Sequence, residues 1–206
     1  MIISSTACLC YTPQSYMNIS SIQYVKGIVD VEGEALLLDD TPQIAFIGRS
    51  NVGKSSLINV LTNSTIARTS SFPGRTQEIN LFLANESMYF IDLPGYGFAR
   101  VHGLGRTKIG KLIESYLFSE SFDPKVIVLI INGDIGMTDK DTEMFEKLKH
   151  SGKKFIIALS KIDKLNQSEF HHRMIDIKEQ VEPYPVFPFS SKKYKGLTEI
   201  LNTITE

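Results

Sequence analysis

The stretch GRSNVGKSS at 48–56, entered from the apolar run QIAFI at 43–47, constrains this chain more than any other feature. Gly48, Gly53, Lys54 and Ser55 satisfy the spacing G-x-x-x-x-G-K-[ST]; an apolar strand pattern precedes them, and a helical pattern carrying Leu57, Ile58 and Leu61 follows. In that context the loop is a phosphate cradle. Glycines let the backbone N–H groups of Gly48, Arg49, Ser50, Asn51, Val52 and Gly53 wrap phosphate without Cβ clashes, and the N-terminus of the next helix adds positive potential. Lys54 is placed to reach the β- and γ-phosphates, and Ser55, with Ser56 beside it, to offer a hydroxyl to Mg²⁺. A loop that needs a strand behind it and a helix ahead of it restricts the fold to the α/β class.

The rest of the chain agrees. QIAFI (43–47), INLFL (79–83), MYFI (88–91), KVIVLII (125–131), KFIIAL (154–159) and VFPF (186–189) read as six strands, several of them apolar on both faces. Between them, Ile109, Leu112, Ile113, Tyr116 and Leu117 share one helical face; so do Met144, Phe145 and Leu148, then Phe170, Met174 and Ile177, then Leu197, Ile200, Leu201 and Ile204. The short ANES link at 84–87 fits a hairpin, so one strand pair is expected to be antiparallel. Alternation elsewhere predicts a mostly parallel six-stranded sheet with helices on both faces.

Two further motifs close strands in the same way. FIDLPGYG (90–97) gives D-x-x-G: Asp92 at a strand end to hold Mg²⁺, Leu93 and Pro94 completing the loop, and the Gly95 N–H facing the γ-phosphate. LSKID (159–163) follows another buried strand. Asp163 can accept from guanine N1–H and from its 2-amino group; adenine offers neither donor and would leave the carboxylate unpaired. Ser160 and Ile162 frame this loop, Lys161 lays its stem along the base, and Phe189, Ser190 and Ser191 of FSSKKYKG (189–196) bring backbone amides to guanine O6. The polar loop SSFPGRTQEIN (70–80) is where a γ-phosphate sensor belongs. Thr76, flanked by Gly74, Arg75, Gln77 and Glu78, is the expected second Mg²⁺ ligand, with Thr69 as the competing candidate.

In this order and spacing, GRSNVGKSSLIN, PGRTQ, DLPGYGFA, SKID and FSS resemble the EngB/YihA family of ribosome-biogenesis GTPases, within the TrmE-Era-EngA-EngB-septin-like superfamily. The resemblance covers roughly residues 22–204, since IQYVKG resembles that family's approach to its first strand. It implies a Ras-like P-loop NTPase fold, GTP or GDP as ligand, Mg²⁺, a role in assembly of the large ribosomal subunit through rRNA or ribosomal proteins, and a link to cell division and septation. Residues 22–206 are then the G domain and 1–21 an N-terminal extension. One departure stands out: the family usually has Thr where Ser160 stands, and Ser keeps the hydroxyl. Asn51 resembles the asparagine that helps bind K⁺ in related GTPases, and equally fits a turn residue satisfying its own backbone. Tyr96 stands where Ras-type enzymes carry a water-positioning glutamine, which implies slow hydrolysis with Lys54, Thr76 and Gly95 doing the catalytic positioning, and leaves the phenol able to pack away.

Charge and cysteines narrow the setting. Arg49 to Lys111 holds eight basic residues against three acidic ones, a local net of +5 in a chain whose overall net charge is −1, so a polyanionic partner fits this stretch. Cys8 and Cys10 are the two cysteines, too few for a disulfide framework or metal site, which suits a reducing cytoplasm. No apolar run approaches a membrane span, and no membrane association is expected; the chain is expected to work as a monomer. The four histidines (His102, His150, His171, His172) are scattered, and none is placed as a base. Three function classes remain: a regulatory GTPase, a guanine-nucleotide-responsive binding module with negligible hydrolysis, and an ATP-using enzyme, the last of which leaves Asp163 without partners.

Overall fold

Apolar side chains on both faces of a strand require cover on both sides, and the central strands obtain it. In the computed structural model, residues 18–29, 40–67, 78–97, 108–119 and 122–206 are described. Strands β1 (Ile22–Ile28), β2 (Gln43–Gly48), β3 (Ile79–Ala84), β4 (Met88–Asp92), β5 (Val126–Asn132), β6 (Phe155–Ser160) and β7 (Val186–Pro188) form one sheet in the order β1-β3-β4-β2-β5-β6-β7. Helices α1 (Lys54–Leu61), α2 (Lys108–Phe118), α3 (Asp139–Ser151), α4 (Gln167–Val181) and α5 (Leu197–Thr205) cover it.

Alternate residues of each central strand feed two cores. Ala45 and Ile47 of β2, Ile127, Leu129 and Ile131 of β5, and Ile157 and Leu159 of β6 pack with Leu112 and Tyr116 of α2, Phe145 and Leu148 of α3, and Ile177 and Val181 of α4. The intervening Ile44, Phe46, Val128, Ile130 and Ala158 pack with Leu57 and Ile58 of α1 and with Ile200 and Ile204 of α5. This is the period of two in strands meeting helices on both faces. The Tyr116 hydroxyl, which enters the first core, donates to Gln43 Oε1 at 2.8 Å, and burial pushes that phenol's pKa far upward.

The sheet has seven strands, not the six expected, and two antiparallel pairs, β1 with β3 and β3 with β4, rather than one. The added strand is β1 at the edge. Its Tyr24 and Val25 are exposed, and its register shifts between Tyr24 and Lys26, so IQYVKGI lacks both the buried run and the clean alternation that mark the other strands. The β3–β4 hairpin is as expected. Asn85 and Glu86 take φ values of 49° and 52° at its tip, a turn with both central residues left-handed.

Asn85 also fastens the segment before β1. Its Oδ1 accepts from Ser20 N at 2.8 Å and Ser21 N at 3.2 Å, and its Nδ2 donates to Asn18 O at 2.8 Å. This brings Ile19 into the second core, where it is 4% exposed. Residues 18–21, placed in the N-terminal extension from sequence, are thus packed on the domain, and residues 1–17 lie outside the described residues.

With Ser20 Oγ also donating to its Oδ1 at 3.1 Å, Asn85 holds a left-handed turn and four side-chain hydrogen bonds at once. Asn85→Ala is expected to cost about 1–2 kcal/mol in urea unfolding, combining lost hydrogen bonds with an unfavourable φ. Asn85→Gly relieves the φ and isolates the side chain, so its cost should be smaller. Equal costs for the two would assign the whole effect to the hydrogen bonds.

Candidate nucleotide-binding site

The motif residues that lie within the described segments, except Ser56 and Glu78, collect at the C-terminal ends of β2, β4, β6 and β7, the rim where open α/β sheets bind ligands. β2 ends at Gly48, where a Cβ would come within 2.7 Å of Ile130 O and 2.8 Å of Val52 Cγ1; only glycine lets the loop lie this close to β5. The chain then curls, with Val52 N donating to Arg49 O at 3.2 Å, Asn51 at φ 63° and Gly53 at φ 111°, and α1 begins at Lys54. Asn51 thus occupies the left-handed turn conformation that asparagine tolerates. The first turn of α1 carries no acidic residue to compete with an anion.

The Lys54 ammonium and the Ser55 hydroxyl both meet Asp92 at the end of β4. Lys54 Nζ pairs with Asp92 Oδ1, and Ser55 Oγ donates to Oδ2 at 3.1 Å. Both members of the ion pair are buried. A hydroxyl and a carboxylate oxygen side by side form a hard-oxygen donor set that fits Mg²⁺ completed by water and phosphate oxygens. Among the described residues there is no cluster of three or more His, Cys, Asp or Glu that would suit a softer or fully protein-bound ion.

The loop after β4 is pressed against the phosphate loop. Leu93, fully buried, donates its N–H to Phe46 O at 3.1 Å. Pro94 leads to Gly95, where a Cβ would meet Ser50 Cα and N at 2.8 Å. Ser50 N donates to Tyr96 O at 3.1 Å, Tyr96 N donates to Gly48 O at 3.3 Å, and Ser50 Oγ donates to Gly95 O at 3.3 Å. The two loops are thus zipped by a short parallel bridge between Arg49 and Tyr96. The phenol of Tyr96 does pack away: it donates to Asp141 Oδ1 on α3 at 2.8 Å. Burial first, and then Asp141, hold its pKa well above the ordinary tyrosine value.

At the other end of the rim, the buried Ser160 Oγ lies 2.7 Å from Val52 O and 3.0 Å from Ile131 O, sharing one hydrogen between two carbonyls. The hydroxyl, which serine and threonine have in common, is the part that joins β6 to β5 and to the phosphate loop. Lys161, at φ 57°, donates from Nζ to Asn51 O at 2.6 Å, so its stem spans from the base loop to the phosphate loop. Burial, followed by repulsion from Lys164, lowers its pKa. Ile162 opens a 3-10 turn containing Asp163. Asp163 Oδ1 accepts from Ser190 Oγ at 2.6 Å, and that bond is the main reason its pKa lies below 3.8. Phe189 is buried, Ser190 pairs with Lys195 through both backbone groups, and Ser191 follows half-buried.

Not every residue singled out from sequence joins this rim. Ser56 follows Ser55 into α1, half-buried. Glu78 lies with its carboxylate over Gly27 of β1, at the sheet edge away from β2. Thr69, Gly74, Arg75, Thr76 and Gln77 fall outside the described residues, as does His102. His150, His171 and His172 are exposed on α3 and α4. Sequence reasoning missed two contributors. Gly133, whose Cβ would come within 2.6 Å of Ser160 O, lets β5 and β6 close beneath the base loop; the Asn-Gly after the apolar run of β5 was its signal. Asp141 had no local signal.

Comparison with known proteins agrees with this geometry. Residues 43–161 match the family described as 50S ribosome-binding GTPase. The chain is 40% identical over 193 residues to the probable GTP-binding protein EngB of Petrotoga mobilis, covering 92% of this chain and 97% of that one. It is 45% identical over 170 residues to the protein of the same name from Solibacter usitatus, covering 81% and 86%. A crystal structure of a probable GTP-binding protein engB superposes with a TM-score of 0.60 at 26% identity, covering 79% of this chain and 96% of that one. Aquifex aeolicus Era, in a variant bound to GDP and AlF4⁻, superposes with a TM-score of 0.65 at 25% identity; the match covers 79% of this chain and spans 55% of the Era chain. Among the described residues no helix is long and apolar enough to cross a membrane. Relatives of this identity matched over most of their length, with a family match over more than half of the chain, make this protein a member of the EngB family of GTP-binding P-loop GTPases.

Proposed function

We propose that this chain is a slow, Mg²⁺-dependent GTP switch that acts on large ribosomal subunits during assembly, in the cytoplasm and as a monomer, with a link to cell division and septation. The observation that carries the nucleotide reading is the pair of loops bound to one another: Ser160 and Lys161 of the base loop hold Val52 and Asn51 of the phosphate loop. Phosphate and base are then read by one connected frame. Asp163, oriented by Ser190, accepts from the guanine donors, with the amides of Ser190 and Ser191 toward O6. Lys54 and the amides of 48–53 take the phosphates. Mg²⁺, when bound, screens the phosphate charge, and Ser55 and Asp92 are the described residues that would hold it. Thr76 is proposed as its further ligand, and a K⁺ beside Asn51 as an additional cation. The ribosomal partner is supported by the description of the matching family and by the basic excess between Arg49 and Lys111.

The phenol of Tyr96, engaged by Asp141, supports a second reading in which hydrolysis is negligible and the protein is a nucleotide-responsive binding module. Turnover separates the two. The lone protein is expected to hydrolyse GTP at about 10⁻⁴ to 10⁻² s⁻¹, the range of unassisted GTPases, with full dependence on Mg²⁺ and acceleration by large ribosomal subunits. Fast multiple turnover by the lone protein, or undiminished turnover in chelator, would refute the switch; no turnover with subunits present would favour the binding module.

Base reading is tested at Asp163. In Asp163→Asn the amide N–H₂ faces the guanine 2-amino group, so two donors collide, whereas xanthine presents a carbonyl oxygen there. GTP affinity is expected to fall by about 2–4 kcal/mol, with xanthosine triphosphate preferred, in paired titrations of both proteins. Unchanged GTP affinity would show that Asp163 does not read the base. Because the Ser190 bond lowers the Asp163 pKa, the carboxylate stays ionised from about pH 6 to pH 8, and guanine preference over adenine should be flat across that interval.

A further inference from the structure

Asp141 is fully buried in the first turn of α3, and its contacts exceed what a helix cap uses. Its Oδ2 accepts from Thr138 N at 3.0 Å and Thr138 Oγ1 at 2.7 Å, which completes a capping box. The remaining contacts reach outside the helix. Oδ1 accepts from the Tyr96 hydroxyl at 2.8 Å. Arg49 Nε stands 3.1 Å from Oδ2, close enough for an ion pair yet out of line for a hydrogen bond. Lys140, the preceding residue, donates from Nζ to Gly97 O at 3.2 Å.

The two outside partners are not independent. Arg49 follows Gly48 at the start of the phosphate loop, Tyr96 follows Gly95 at the end of D-x-x-G, and the two are bridged across the zipped loops. One buried carboxylate therefore grips both loops beside the position where a γ-phosphate would lie. Gly95 lies close against Ser50, where a Cβ would stand 2.8 Å from the Ser50 backbone, so there is no room for a side chain. Its retreat from the phosphate loop is opposed by Tyr96, whose backbone is held by Gly48 and Ser50 and whose phenol is held by Asp141. The buried phenol keeps its proton and so remains a donor across the neutral range.

We infer that Asp141 is a positioning residue for recognition of the terminal phosphate: acting through Tyr96 and Arg49, it fixes the Gly95 peptide against the phosphate loop, and preference for the triphosphate over the diphosphate depends on it although it touches neither. This rests on the guanine-nucleotide reading above. A diphosphate lacks the group that Gly95 would meet, so its affinity does not depend on the Tyr96 arm of the grip.

The test is titration of the full chain with GDP and with the non-hydrolysable analogue GDPNP, each with Mg²⁺, alongside thermal unfolding. Tyr96→Phe removes only the hydroxyl that reaches Asp141. It is expected to weaken GDPNP about tenfold, the equivalent of one hydrogen bond's net free energy, and to leave GDP within about twofold. Asp141→Asn should lower the GDPNP:GDP affinity ratio in the same direction. Asn166→Ala, which damages the cap of α4 and touches neither Asp141 nor the two gripped loops, should lower the melting temperature and keep the ratio. A parent-like ratio in Tyr96→Phe, with both nucleotides still bound, would overturn the inference and reduce Asp141 to a cap; this holds even if Asp141→Asn fails to fold. If the parent itself binds neither nucleotide, the proposed function falls, and this inference with it.

Discussion

Burial of β5 on both faces is the constraint on which the remainder depends. All seven of its residues are buried, between one layer of α2, α3 and α4 and another of α1 and α5. No polar side chain can leave such a strand sideways without losing its hydrogen bonds. Polar chemistry is therefore expelled to the strand ends, and right-handed parallel crossovers place the loops after β2, β5, β6 and β7 on one rim. Asn132, last in β5, shows the transition: its side chain and carbonyl accept from Asp134 N, Ile135 N and Gly136 N, turning the chain at the point where the apolar run stops.

Crowding at that rim sets the residue types. Phosphate loop, D-x-x-G loop and base loop meet at Gly48, Gly95 and Gly133, each with backbone or side-chain atoms closer than 3.0 Å to where a Cβ would stand. The loops are then joined by backbone hydrogen bonds, hydroxyls and the ammonium groups of Lys54 and Lys161. Ser160 ties β6 to Val52, Lys161 ties the base loop to Asn51, and Ser190 ties the last loop to Asp163. Each removed donor would strand a carbonyl or carboxylate next to the site, at about 1–3 kcal/mol for a buried group. The loops proposed to read base and phosphate thus share one hydrogen-bonded frame.

The sequence made the sheet's centre and the rim legible because both are written locally. Runs of Ile, Val and Phe marked six strands, 3.6-residue spacing marked the helices, and fixed glycine spacings marked the loops. β1 was not legible as a strand: it sits at an edge, pairs with β3 through a shifted register, and mixes Lys26 and Gly27 with exposed Tyr24 and Val25. The placement of Glu78 was lost for the same reason, since its carboxylate fills the space beside Gly27 of that edge strand. Lys161 was legible as part of the base loop, but its ammonium's partner, Asn51, lies 110 residues earlier. Contacts of that separation follow from topology and not from spacing.

The Tyr96–Asp141 contact is of the same kind, and it connects the two layers. The phosphate loop runs into α1, which packs in one core, while its neighbour D-x-x-G is gripped by α3, which packs in the other. α3 also reaches α2, through Lys147 Nζ at 3.3 Å from Glu114 Oε1 and through the apolar core that Leu112, Ile113, Tyr116 and Leu117 share with Met144, Phe145 and Leu148. The ion pair is partly exposed and worth little, so the apolar core supplies the firmness. Lys140 holds Gly97 O, and α2 begins at Lys108, so α3 fixes the chain on both sides of the segment between them. Tyr96 thus ties the Gly95 loop to the sheet through its N–H on Gly48 O and to α3 through its phenol on Asp141, so sheet and helix hold that loop together.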